Sequence, residues 1–172
     1  MNVVLQPHIK MPVKQVTKTE PLLANHVYII PPNANLNTID THLRLTKLEE
    51  KRRERAPIDH FFRTLSKTHD GSAVGIILTG TGSDGTLGLK AIKEKGGVTI
   101  VQDPLDAEFD GMPQSAISTG LVDKVLKLDE IPGYFIKTIN TRPKLKGLRP
   151  GEESDEGEHS LLQKVFAQVR AR

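Results

Sequence analysis

Cysteine is absent from all 172 residues. That one absence excludes disulfide stapling, thiolate zinc sites and a cysteine nucleophile. It fits a reducing compartment, and the expected location is cytoplasmic. Aromatic residues make up only 4% of the chain, so little is available to build a stacking surface for single-stranded nucleic acid. Charge of one sign is also scarce. The 24 Lys and Arg stand against 21 Asp and Glu, a formal net charge of +3. This is too small to argue for nucleic acid or an anionic membrane on bulk charge. The longest apolar runs are four to six residues (Val27 to Ile30, Val74 to Leu78), far short of the ~20 that span a bilayer. The opening MNVVLQPHIK has no basic region leading into an apolar one, so neither a signal peptide nor membrane insertion is expected.

What is present is enough for a core. The hydrophobic fraction is 37% and there are 14 glycines, close to ordinary globular composition. Residues 1–25 read as irregular, interrupted by Pro7, Pro12 and Pro21. His26 to Ile30 reads as a short strand stopped by Pro31-Pro32-Asn33. Residues 36–46 alternate around Asp40-Thr41, a hairpin pattern with one face to solvent. Residues 47–55 hold five Lys/Arg and three Glu, a solvated loop or an anion-binding patch. After Pro57, Ile58, Phe61, Phe62 and Leu65 fall on one face of a helix, which His69 to Ser72 ends.

Val74 to Leu78 is nearly continuous aliphatic, as in a strand covered on both sides. A helix from about Asp84 to Lys95 is expected to bury Leu87, Ala91 and Ile92, with Gly96-Gly97 as its C-terminal stop. Val98 to Val101 is a second strand. Pro113 suits the first turn of another helix. Val122 to Leu126 reads as a strand and Ile131 to Ile139 as a helix. The order from residue 74 is β-α-β-α-β-α. This predicts an α/β fold with a doubly wound, mainly parallel, Rossmann-like three-layer sheet, carrying a short β-hairpin. Residues 1–139 form the main domain in this reading. Residues 140–158 are a basic and then acidic linker, with five acids in Gly151 to Glu158. Leu161, Leu162, Val165, Phe166 and Val169 form an apolar stripe that opens a following helical domain over 159–172, or docks on a partner.

The chemistry concentrates at Thr79-Gly80-Thr81-Gly82-Ser83-Asp84-Gly85, between a strand and a helix, where parallel sheets bind ligands. Gly80, Gly82 and Gly85 match a dinucleotide fingerprint, and Asp103 follows the next strand. Against that reading, Asp84 would bring a negative charge to the pyrophosphate position. A carboxylate at a helix N-terminus is favoured by the macrodipole and can accept backbone N–H bonds. Such a held Asp is what a serine hydrolase uses to orient its histidine. The plainer alternative is that Ser83 or Asp84 caps the helix. No Gly-x-Ser-x-Gly occurs, and His8, His26, His42, His60, His69 and His159 read as surface or packing residues. Asp40-Thr41-His42 and Asp59-His60 are too isolated to suggest a metal site.

The run Ile76 to Gly85, with Gly88, resembles the acidic-residue motif of the chemotaxis protein-glutamate methylesterases, the CheB-type catalytic domains. Further pieces follow in family order: His26 to Pro32, Pro57 to Phe62, Gly96-Gly97, Gln102-Asp103 and Gly111-Met112-Pro113. The resemblance covers about residues 10 to 131. The variant forms look most like methylesterase domains fused to a CheR-type methyltransferase. It implies hydrolysis of glutamate methyl esters on chemoreceptors in bacterial chemotaxis signalling, without a cofactor or metal. Asp84 is the catalytic aspartate by motif match, with Thr81, Gly80, Gly82 and Gly85 supporting the loop and the oxyanion position. The implied partners are methylated chemoreceptor-like proteins, with a response-regulator or methyltransferase domain alongside them. The family's serine and histidine lie on earlier strands that would precede Met1. The sequence is therefore read as an N-terminally truncated domain, inactive alone and exposing unpaired strand edges. Two other readings stay open: a non-enzymatic interaction segment of a methylesterase–methyltransferase fusion, and a nucleotide-binding module.

Overall fold

The structure, a computed structural model, describes residues 5–47 and 56–142. A 3₁₀ turn, Gln6–His8, leads into β1 (Val13–Gln15), β2 (Glu20–Pro21) and β3 (Val27–Ile29). The first 25 residues are therefore not wholly irregular. β1 pairs in parallel with β3, and Leu5, Ile9 and Val13 pack with Val27 and Ile29. The prolines limit helix here; they do not prevent short strands. β4 (Ala34–Ile39) and β5 (His42–Lys47) form the expected hairpin. Asp40 turns it at φ 50°, a left-handed conformation that Asp tolerates better than most residues.

α1 (Pro57–Thr68) follows, then β6 (Val74–Ile77), α2 (Thr86–Glu94), β7 (Val98–Gln102), α3 (Gly111–Ile117), β8 (Lys124–Leu126) and α4 (Ile131–Thr141). β6, β7 and β8 form a parallel sheet in that order. The alternation of side chains sorts it into three layers. Val98 and Ile100 face Leu128, Ile131 and Tyr134 on the α4 side. Ile77 and Val101 face Leu89 and Ala116 from α2 and α3 on the other. The mainly parallel α/β architecture is thus present. Its strands are divided among a two-stranded parallel sheet, the antiparallel group β2-β5-β4 and the β6-β7-β8 sheet. Among the described residues, β6 pairs only with β7.

One helix reading is refined and one is corrected. The apolar positions of α1 divide between partners. Phe61 packs against the Val16, Leu36 and Leu43 cluster, and Ile58 and Phe62 pack against the Leu89 cluster. The most buried positions of α1 are Asp59 and Ser66, because this helix lies between two structures. In α2 the buried residues are Gly88, Leu89 and Ile92, while Leu87 is 53% exposed. Leu89 and Ile92 point at the sheet, where Gly75 leaves room. A Cβ there would lie 2.8 and 2.9 Å from their Cδ1 atoms. Leu87 lies on the opposite side, beside α1. The basic run over 48–55, the linker from 143 and the stripe at 161–169 lie outside the described residues.

Candidate functional site

The site is built at the carboxyl end of β6, where residues 79–85 connect it to α2. Three strand ends are joined there by buried polar groups. The Gln102 side chain, 2% exposed at the end of β7, accepts the Thr79 N–H through Oε1 at 2.9 Å. Its Nε2 donates to the Asp106 carboxylate at 2.9 Å, and Asp106 accepts the Leu128 N–H beyond β8 at 2.9 Å. The Thr79 hydroxyl accepts the Phe109 N–H at 2.8 Å and donates to the Phe109 carbonyl at 3.2 Å. This satisfied network fixes the start of the loop.

Gly80 is pinned on both sides. Its N–H donates to the Phe109 carbonyl at 2.9 Å and its carbonyl accepts the Met112 N–H at 2.8 Å. A Cβ at Gly80 would fall 2.4 Å from the Met112 sulfur, so any larger residue there would have to displace the Met112 side chain that packs α3 against the loop. Gly82, at φ 82°, accepts the Ser115 hydroxyl through its carbonyl at 3.2 Å. Thr81, Gly82 and Ser83 are exposed, so the middle of the loop faces solvent. Gly85 has φ 92°, and a Cβ there would meet Ile77 at 2.5 Å and Ile58 at 2.9 Å.

Asp84 is half-buried, and its side chain is committed to a neighbouring helix. Oδ2 accepts the Ile58 N–H at 3.1 Å and Oδ1 accepts the Asp59 N–H at 2.9 Å. Those are the second and third residues of α1, whose own N-cap position is Ala56 with no side-chain cap. α2 has the mirror-image arrangement. Its N-cap is Gly85, also without a side-chain cap, and the Gly88 N–H is taken by Asp59 Oδ1 at 2.6 Å. Each helix N-terminus is thus satisfied by an aspartate from the other element, Asp84 for α1 and Asp59 for α2. Gly88 permits the close crossing, since a Cβ there would lie 2.6 Å from Phe62 Cβ and 2.9 Å from the Asp59 Cα. The plain capping alternative is therefore modified: Asp84 does cap a helix, but the one before it in sequence. A carboxylate has about four lone-pair sites. Two are used here, which leaves capacity for a further donor such as an imidazole N–H.

The same geometry weighs against the nucleotide reading. The fingerprint needs free backbone N–H groups and an open helix N-terminus. Here the Gly80 N–H is donated to Phe109 and the Gly88 N–H to Asp59. Four of the five described histidines find partners elsewhere. His26 contacts the Ala24 carbonyl and stacks on Tyr28. His42 contacts Thr41, His60 contacts Asn37 and His69 contacts Thr68. Among the described residues, no group of three or more His, Asp or Glu gathers as a metal site. No helix there is long and apolar enough to cross a membrane. Sequence reading missed Asp59 and Gln102 as determinants of the loop. Asp59 had a visible signal, an acid in the first turn of a helix that starts at proline. Gln102 had its place at a strand end and its membership of the Gln102-Asp103 pair in the family pattern, but nothing that showed its side chain reaching Thr79.

Comparisons with known proteins converge on one family. Residues 1–135 match the family model described as CheB methylesterase. A relative in Leptospira interrogans, a putative protein-glutamate methylesterase/protein-glutamine glutaminase, is 39% identical over 135 residues. That match covers 78% of this chain and 70% of the relative. An uncharacterised 104.1 kDa protein of Rhodobacter capsulatus is 41% identical over 155 residues, 90% of this chain. This chain spans only 16% of that protein's length. The crystal structure of the Thermotoga maritima CheB methylesterase catalytic domain superposes with a TM-score of 0.65 at 29% identity. The superposition covers 73% of this chain and 68% of that one.

Proposed function

The chain belongs to the CheB methylesterase family, and from that premise we propose that it supplies the aspartate arm of a protein-glutamate methylesterase. The observation that carries this reading is the clamp on Asp84, a carboxylate fixed by the Ile58 and Asp59 N–H groups at a sheet's carboxyl end. In the family chemistry a serine hydroxyl attacks the glutamyl methyl ester while a histidine takes its proton. The tetrahedral intermediate collapses and methanol leaves with that proton. Water then cleaves the acyl-serine, regenerating serine and releasing the glutamate carboxylate. Asp84 holds the histidine ring in orientation through an Nδ1–H hydrogen bond. Gly80, Gly82 and Gly85 shape the loop that carries Asp84, and the Thr81 N–H lies in the exposed part of that loop, available to a developing oxyanion.

No residue of this chain is assigned the serine or the histidine role. The substrates are methylated chemoreceptor-like proteins, the setting is cytoplasmic chemotaxis signalling, and a response-regulator or methyltransferase domain is the functional neighbour. The test is methanol release from a methylated receptor fragment. The purified chain alone is expected to give no release above buffer. Release by the chain alone that disappears in Asp84→Asn would overturn the assignment of roles. The nucleotide alternative predicts a thermal shift with nucleotides. The occupied Gly80 and Gly88 N–H groups argue for none.

A further inference from the structure

α1 and α2 cross closely at Gly88, and beyond the crossing they enclose a groove of about 440 Å³. Its walls are Arg63, Ser66 and Lys67 on α1 and Leu87, Lys90, Ala91, Glu94 and Lys95 on the α2 side. Four of these residues are cationic and one is acidic. Glu94 already lies 3.8 Å from Lys90. Among the described residues, no acid makes an ion pair with Arg63, Lys67 or Lys95. The groove therefore presents an exposed cationic rim over a floor of Ala91, Ser66 and half-exposed Leu87. None of these residues belongs to the Asp84 clamp or the glycine loop.

Two observations identify an occupant. The last described residue, Arg142, donates from its guanidinium to the Gly96 carbonyl at 3.3 Å. The described chain thus ends beside the C-terminal stop of α2, next to Lys95 and the lower end of the groove. Nine residues further on begins Gly151-Glu152-Glu153-Ser154-Asp155-Glu156-Gly157-Glu158, with five acids and no cation. Nine residues reach at most about 32 Å when extended. The groove between Leu87 and Lys95 runs only about 12 Å along the helix. We propose that the acidic segment 151–158 docks in cis on the cationic α1–α2 groove, with Arg63, Lys67 and Lys95 as its main partners. Tethering raises the effective concentration of the segment to the millimolar range, enough for surface charge pairs that are individually weak. The segment and groove carry opposite charge, so the contact is sensitive to salt.

The test is zero-length carbodiimide cross-linking of the full chain, with isotope-labelled and unlabelled copies mixed to separate links within a chain from links between chains. The expected result is that acids of 151–158 link within one chain to Lys67, Lys90 and Lys95. Their yield should fall about fivefold or more at about 1 M salt, where screening acts over only about 3 Å. In Arg63→Gln, whose lysines are all intact, the yield at Lys67 and Lys95 is expected to fall about threefold. Links between chains only would overturn the proposal. So would links at Lys51, Lys124, Lys127 and Lys137 as frequent as those in the groove, or yields unchanged by salt.

Discussion

Replacing Asp84 by alanine is expected to destabilise the fold, and the size of the effect follows from the clamp. The carboxylate accepts two α1 N–H groups at 2.9 and 3.1 Å, and Ala56 gives that helix no local substitute. Removing a single N-cap acceptor costs ~0.5–2 kcal/mol. Two donors are orphaned here at a half-buried position, where water recovers part of the loss. The expected cost is therefore about 2 kcal/mol. Asp84→Asn keeps one acceptor and turns an amide against the other N–H, so about 1 kcal/mol is expected. Urea denaturation reads both. With a slope of about 2 kcal/mol per molar, Asp84→Ala lowers the midpoint by roughly 1 M. A cycle with Asp59→Ala sharpens the argument. Both aspartates hold the same helix crossing, so the two losses should be sub-additive by about 1 kcal/mol. An Asp84→Ala protein within about 0.5 kcal/mol of wild type, or strictly additive losses, would refute the reciprocal clamp.

Three other outcomes are expected. Gly85→Ala adds a side chain at φ 92° and a Cβ 2.5 Å from Ile77 Cδ1, which should cost about 2–4 kcal/mol by thermal or urea unfolding. Gln102→Leu keeps the volume but orphans the Thr79 N–H and an Asp106 contact. It should cost about 2 kcal/mol and speed hydrogen exchange at Thr79 and Gly80. Asp123 contributes to acid stability. Burial alone would raise its carboxyl, but Lys93, the Thr99 N–H and the Thr99 hydroxyl outweigh that and hold it below its ordinary value of 3.8. A lowered folded value means the contribution is complete above that ordinary range. It is lost as pH falls through the folded value. Urea midpoints measured downward from neutral pH should therefore drop below about pH 4, and Asp123→Asn should flatten that limb.

Much of the fold was legible because the signals were local. The aliphatic runs at Val74 and Val98, the Asp40-Thr41 turn and the Gly96-Gly97 stop each sit where the sequence pattern puts them. Gly96 takes φ 79°, and its N–H reaches the Lys93 carbonyl while that of Gly97 reaches Ile92. The failures were non-local. Leu87 looks like a core residue by spacing, yet Gly75 admits Leu89 and Ile92 to the sheet and leaves Leu87 outside. β1 was missed because three residues between prolines carry no periodicity, and its pairing partner β3 supplies the order. At the site, the loop and Asp84 were visible as a motif. Their partners were not, since Asp84 meets Ile58 and Asp59 across 26 and 25 positions that no local pattern links.

The central claim is that Asp84, held by the α1 backbone, orients the histidine of a glutamyl methylesterase. The most direct measurement is methanol release from a methylated receptor fragment after this chain is joined to a family segment carrying the serine and histidine. It should be made with folded wild-type and Asp84→Asn proteins at equal concentration. The account expects release by the wild type and a drop on the order of 10⁴ in turnover for Asp84→Asn. Equal turnover of the two folded proteins would contradict it.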